Sequence, residues 1–122
     1  MNEPGQELCD LRERTKRFAL RVIRVYAALP KRGAGEIIGR QLVRSGTSVG
    51  AQYREATRAR SRAEFISKVE GALQELEETN YWFELVVEAW LVPGKRLAEL
   101  RQEAHELTAI LIASVKTAKK GR

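Results

Sequence analysis

Apolar residues recur at alternating intervals of three and four along almost the whole chain. The first run, which spans three heptads, consists of Leu8, Leu11, Thr15, Phe18, Val22, Val25 and Leu29. Such spacing places one side chain per turn on a single face of an α-helix. Pro30 disfavours helical geometry in the residue before it, so the pattern predicts a first helix over residues 6–29.

Three further runs with the same spacing predict helices over residues 36–59, 62–92 and 95–118. Ser61 and Glu64 have the spacing of a capping box at the start of the third helix, and Pro93-Gly94 ends it. The predicted core positions are Ile38, Leu42, Ser45, Val49, Gln52 and Ala56; Phe65, Val69, Ala72, Leu76, Thr79, Phe83, Val86 and Trp90; and Leu97, Leu100, Ala104, Leu107, Leu111, Ser114 and Ala118.

No stretch alternates with period two for long enough to indicate a β-strand. Four amphipathic helices with short connections predict an all-α fold, an antiparallel up-and-down four-helix bundle in a single domain over residues 1–122. The second helix contains Gly39, Gly46 and Gly50, each of which costs an isolated helix about 1 kcal/mol. We expect a neighbouring helix to approach closely here; the alternative is a break near Gly46–Gly50.

Composition argues against catalysis. The chain has one cysteine, Cys9, and one histidine, His105, which excludes an internal disulfide or a zinc cluster. It lacks a phosphate-binding loop, so we expect no enzyme activity, no catalytic residue, no metal and no cofactor. No apolar run is long enough for a membrane span, and the first seven residues lack the features of a signal peptide. These features predict a cytoplasmic protein without a membrane partner.

The net charge of +6 is unevenly distributed. Residues 1–62 contain 14 Lys/Arg against 6 Asp/Glu, whereas residues 63–122 contain 8 against 10. A basic, arginine-rich half is typical of nucleic-acid binding. Five arginines of the second helix fall within an arc of about 80°, in a stripe about 33 Å long if that helix continues unbroken to Arg62. With four more on the first helix, the candidate phosphate contacts are Arg14, Arg17, Arg21, Arg24, Arg40, Arg44, Arg54, Arg58 and Arg62.

Two adjacent basic stripes predict binding of RNA or DNA through the phosphate backbone without sequence preference, since no row of aromatic residues accompanies them. The alternative is a protein–protein interaction scaffold. Glu70, Glu77 and Glu84 repeat every seven residues and Glu88 follows, so this acidic stripe could pair with the arginines within or between subunits. The arginines would then serve subunit assembly.

The third and fourth helices carry more apolar residues than one bundle core can bury. Exposed aromatic patches usually mark interfaces, so we expect a homo-oligomer. The predicted interface residues are Tyr81, Trp82, Leu85, Ala89, Ile110, Ile112 and Val115.

Residues 41–56 resemble the motif of the four-helix-bundle family named for proteins encoded in 23S rRNA intervening sequences. Arg44, Ser48, Val49 and Glu55 match its pattern, whereas Gln52 stands where asparagine is usual. Phe65 ends a stretch similar to the family's basic-x-Glu-Phe segment, and Gly71 through Glu75 is similar to a later motif. Arg44 and Glu55 can also be interpreted as a structural ion pair.

The resemblance covers about residues 8–118 and implies a ring, typically a pentamer. Accessory proteins of diversity-generating retroelements look like distant members, and they bind nucleic acid and a reverse transcriptase. By that distant analogy the expected partners are further copies of this chain, RNA or DNA, and a protein such as a reverse transcriptase.

Overall fold

The computed structural model describes the backbone of residues 4–121 and the side chains of residues 11–121. Four helices account for almost all of this part of the chain: α1 (Pro4–Ala28), α2 (Gly33–Ala56), α3 (Arg62–Glu88) and α4 (Gly94–Lys120). No strand occurs among these described residues. The prediction of an all-α chain with four helices is therefore confirmed.

Successive helices run antiparallel. Early in α1, Thr15 lies against Gly50 near the end of α2, while Tyr26 near the end of α1 lies against Gly39. The same reversal relates α2 to α3 and α3 to α4, through the pairs Ser45–Thr79, Glu55–Lys68, Val87–Gly94 and Glu70–Lys119. The α1–α2 and α3–α4 connections (residues 29–32 and 89–93) consequently share one end of the bundle, called here the upper end. The α2–α3 connection (residues 57–61) lies at the lower end.

The core lies between the four apolar stripes. Phe18 and Phe83 are fully buried and meet edge to face, with ring centroids 6.5 Å apart. Such aromatic pairs stabilise a core beyond the area that they bury. Ser45 and Thr79 are also fully buried, and the Thr79 hydroxyl donates to the Ser45 hydroxyl across 2.8 Å. Because each buried hydroxyl has a partner, this polar pair costs the core little.

The α2 helix is continuous, so the alternative of a break near Gly46–Gly50 is wrong. A Cβ atom added at Gly39 would lie 2.6 Å from the Tyr26 ring, and one at Gly46 would lie 2.8 Å from a methyl carbon of Val22. These glycines therefore let α1 approach α2 more closely than any side chain would permit. Close packing against α1 is the compensation for their poor helix propensity.

The sequence predicts the start of α3 correctly but not its end. At the start, α3 begins at Arg62 as predicted, and half of the expected capping box forms: Ser61 Oγ accepts from the Glu64 N–H at 3.0 Å. Glu64 Oε1 accepts from the Arg60 N–H at 3.1 Å rather than from the N–H of the N-cap residue Ser61. At the other end, α3 stops at Glu88 rather than at residue 92. Trp90, expected in the core, is instead 93% exposed and has a φ of 63°.

Candidate nucleic-acid interface

The four arginines of α1 do not lie beside those of α2. Arg14 reaches α4, where its guanidinium donates to Glu103 at 2.6 Å and 3.0 Å and to Glu106 at 3.1 Å. Arg17, Arg21 and Arg24 follow at intervals of three, four and three, so they continue the Arg14 stripe, away from the side of α1 that faces α2 through Thr15, Val22 and Tyr26. The expectation of two adjacent basic stripes is therefore wrong.

Two of the α2 arginines are engaged within the subunit. Arg40 Nε donates to Glu36 Oε1 at 2.6 Å, one turn earlier on the same helix. Arg44 reaches α3, where its guanidinium binds Glu78 and lies 3.5 Å from Glu75 Oε1. These contacts leave less of Arg40 and Arg44 for phosphate than the sequence suggested.

The lower end of the bundle carries the remaining arginines. Because α2 ends at Ala56, Arg58 lies in the α2–α3 connection and Arg62 begins α3. A helix that runs unbroken to Arg62, the condition for a continuous stripe, is therefore not present. Three stripe members and Arg60 lie instead at and around this turn, and the group is called here the basic turn: Arg54, Arg58, Arg60 and Arg62.

All four side chains of the basic turn are exposed, and none has an ion pair with another described residue. Sequence reasoning missed Arg60 because it lies outside the arginine arc of the helical projection. Lys119, on the last turn of α4, lies beside Glu70, with its Nζ atom 3.6 Å from Glu70 Oε2. Glu70 is eight residues, or about 12 Å, along α3 from Arg62. The exposed Lys116 and Lys120 side chains on the last turns of α4 therefore extend the positive charge towards the basic turn.

The family-motif residues form the contact between α2 and α3. Arg44 and Glu55 do not pair with each other: Arg44 binds Glu75 and Glu78, and Glu55 accepts from Lys68 Nζ at 2.6 Å. The remaining motif residues are also structural. Ser48 donates to the Arg44 carbonyl at 2.6 Å, the Gln52 amide lies 3.1 Å from where a Cβ of Gly71 would be, and half-buried Phe65 packs on the core.

Electrostatics hold this contact in place at neutral pH. The Arg44 guanidinium, and to a lesser degree the Trp82 indole N–H, hold the pKa of the Glu78 carboxyl below its ordinary value. On α2, the Arg40 hydrogen bond lowers the pKa of Glu36 despite an opposing contribution from burial. The Glu55 carboxylate raises the pKa of Lys68. The motif therefore supplies charged hydrogen bonds between helices rather than an open ligand site.

The acidic stripe of α3 is exposed to solvent. Its first member, Glu70, pairs with Lys119. Glu77, Glu84 and Glu88 are exposed and form no ion pair within the described part of the chain. Pairing of this stripe with the α1 and α2 arginines inside one subunit is therefore absent among the described residues.

The predicted interface residues differ in exposure. Tyr81 and Ile112 are 53% and 41% exposed, and Ala89 is also exposed. Tyr81 meets the half-buried Trp82 edge to face, and Leu85 and Ile110 are likewise half-buried. Val115 is only 7% exposed and belongs to the core, so its assignment to the interface is wrong. Sequence reasoning missed the other exposed large apolar side chains, which are Leu20, Ile23, Ile37 and Trp90.

The described part of the chain offers neither a metal-binding cluster nor a membrane-spanning helix. The side chains of residues 11–121 include no group of three or more histidine, cysteine, aspartate or glutamate residues arranged to hold a metal ion. Within the same range, no helix combines the length and the apolar character that crossing a membrane requires.

Comparison with known proteins identifies relatives of this architecture. Residues 8–113 match the family model described as 23S rRNA-intervening sequence protein. A crystal structure of a protein with unknown function from the S23 ribosomal protein family of Bacteroides thetaiotaomicron is 34% identical, with a TM-score of 0.81. The alignment covers 87% of this chain and 98% of that one. No curated protein matches the chain.

Proposed function

The chain belongs to the 23S rRNA-intervening sequence protein family, and from this premise we propose that it is a non-enzymatic, nucleic-acid-binding accessory protein of the cytoplasm. It assembles as a homo-oligomeric ring, a pentamer, and binds RNA or DNA without sequence preference. The observation that carries this proposal is the basic turn, with four exposed arginines that form no ion pair with another described residue.

Arginine suits such a role. Its guanidinium donates two parallel hydrogen bonds to a phosphate, and it stays charged at every physiological pH. The aromatic residue nearest in sequence, Tyr53, is fully buried and offers no stacking surface for a base. Binding at the basic turn is therefore driven by the phosphate backbone and carries no direct information about base sequence.

Assembly would increase the affinity of this surface. A single basic turn offers about four phosphate contacts, which alone give weak binding at physiological salt. A ring repeats the same turn once per subunit and presents all copies to one strand. The second and later contacts then become intramolecular, which raises the overall affinity without any new type of contact.

The test is a titration of a mixed RNA and DNA oligonucleotide pool at several salt concentrations, with mass followed by light scattering. For four contacts to duplex DNA, the slope of log affinity against log salt should be about −3.6 for each basic turn that one duplex contacts. The double variant R58Q/R60Q should reduce the magnitude of that slope by about 2 for each contacting turn. Its matched control is K95Q/R96Q, which removes the same charge from exposed positions at the upper end.

If both double variants weaken binding equally, only net charge matters and the basic turn is not the binding surface.

A second candidate function, an interaction scaffold for another protein, is favoured by the exposed apolar residues Leu20, Ile23 and Ile37. A stable oligomer whose mass by light scattering does not increase with the oligonucleotide pool would support that scaffold and contradict nucleic-acid binding.

A further inference from the structure

Trp90 occupies a backbone position that normally belongs to glycine. It follows the end of α3, where its N–H donates to the Val87 carbonyl at 3.1 Å and the Leu91 N–H donates to the Val86 carbonyl at 3.0 Å. These two bonds define a Schellman motif, whose residue in the left-handed region is usually glycine. Trp90, with a φ of 63°, is the one non-glycine residue with positive φ in the described part of the chain.

The Trp90 indole contributes almost no packing to the core of its own subunit. The Trp90 side chain is 93% exposed, so it buries almost no surface on its own subunit. A β-carbon in the left-handed region is unfavourable, and glycine would satisfy the same two hydrogen bonds without that cost. A strained residue that contributes no packing points to a role outside the protomer.

A groove that suits an indole lies between α1 and α2, towards the same upper end. It has a volume of about 560 Å³, and Ile23, Tyr26, Val43, Arg40 and Arg44 line it. Ile23 is 42% exposed. Arg40 supplies its polar edge, since the Arg44 guanidinium is held by Glu75 and Glu78 on α3, and arginine stacks favourably on aromatic faces. An apolar floor with a cationic edge matches the chemistry of a tryptophan ring.

We propose that Trp90 of one copy inserts into the α1–α2 groove of a second copy. Charge complementarity favours this occupant. The exposed Glu84 and Glu88 precede Trp90 on α3, whereas Lys31 and Arg32 lie in the α1–α2 connection beside the groove. Lys31 Nζ is 4.7 Å from the centroid of the Tyr26 ring, which places its charge at the groove edge.

This contact joins two different surfaces, so it is heterologous and can be repeated from copy to copy. Both surfaces lie towards the upper end, so rotation about an axis parallel to the bundle brings the anchor of each copy to the groove of the next. The proposal rests on the assembly described under Proposed function and identifies the residues that form it.

The experiment measures self-association by sedimentation over a dilution series. Trp90→Gly removes the anchor, and Ile23→Glu places a charge in the groove. Each should raise the dissociation constant about tenfold or more. The control Leu20→Glu alters an α1 residue with nearly the same exposure, 43% against 42% for Ile23, that does not line the groove, and it should leave association unchanged.

Mixing separates a heterologous contact from a symmetric one. Trp90→Gly keeps an intact groove and Ile23→Glu keeps an intact anchor, so the mixture should form a one-to-one pair that neither variant forms alone. In a Trp82→Phe background Trp90 is the single tryptophan, and its fluorescence should shift to the blue on assembly.

If wild type self-associates and both variants do so with an unchanged dissociation constant, the proposal is overturned, although ring assembly itself is not. An effect of Trp90→Gly without an effect of Ile23→Glu would also overturn it, because the anchor would then bind elsewhere. A wild type that stays monomeric would contradict the assembly itself as well. A Trp90 emission shift with oligonucleotide but not with self-association would assign the indole to nucleic acid instead.

Discussion

Replacing Trp90 by glycine should make the isolated protomer more stable. The left-handed backbone at φ 63° costs a residue with a β-carbon roughly 1–2 kcal/mol. Glycine relieves this cost but loses about 0.4–1 kcal/mol through the greater freedom of the unfolded chain. Little burial is lost, since the indole is 93% exposed. The expected net gain in the free energy of unfolding is about 0.5–1 kcal/mol.

The assay compares Trp90→Gly with Trp90→Ala by urea and thermal unfolding, at concentrations where light scattering shows protomers. Both variants lack the indole, so neither has the proposed anchor and the comparison isolates the backbone. For a chain of this length the gain corresponds to a rise in Tm of about 2–5 °C. A glycine variant no more stable than the alanine variant would refute the argument from backbone strain.

The remaining predictions concern the packing and charge of the bundle. Gly46→Ala should cost about 1–3 kcal/mol, because its β-carbon would lie 2.8 Å from a valine methyl carbon of α1. Gly71→Ala, which meets only a flexible amide at 3.1 Å, should cost less in the same urea titration. Thr79→Val should cost about 1–3 kcal/mol by removing the buried hydrogen bond to Ser45, and a further Ser45→Ala should recover part of that loss. The pKa of Glu78 is held below its ordinary value of 4.5, so its stabilisation is present above that pH and is lost as pH falls through the folded pKa. The difference in unfolding free energy between wild type and Glu78→Gln should therefore shrink below about pH 4.5, and a constant difference would contradict this assignment.

The helices could be predicted from the sequence because their signals are local. Spacing of three and four residues, a capping serine at position 61 and breaks at Pro30 and Pro93 depend only on neighbouring residues. The glycines of α2 could likewise be interpreted as a close helix contact, since they repeat on one face. These signals survive in the folded protein because packing reinforces each of them.

The details of the candidate site depend on contacts between helices, which periodicity does not encode. Trp90 continues the apolar stripe of α3, yet the helix ends before it and the indole turns to solvent. Arg58 falls on the projected arginine arc, yet α2 ends two residues earlier. Arg44 falls on the arginine arc of α2, yet in the folded protein it pairs with Glu75 and Glu78 on α3.

The length of the helices makes the two proposed interactions, nucleic-acid binding at the basic turn and the Trp90 contact between subunits, electrostatically independent. The 24 residues of α2 span about 36 Å from the groove end of the bundle to the basic turn. At physiological ionic strength the Debye length is about 8 Å, so the field of the basic turn has decayed long before it reaches Trp90. A rise in ionic strength should then release the nucleic acid, while burial of the Trp90 indole keeps the subunits together even as salt weakens the attraction of Glu84 and Glu88 for Lys31 and Arg32. The bundle would then keep the two surfaces far enough apart for bound nucleic acid to exchange while the ring of subunits stays assembled.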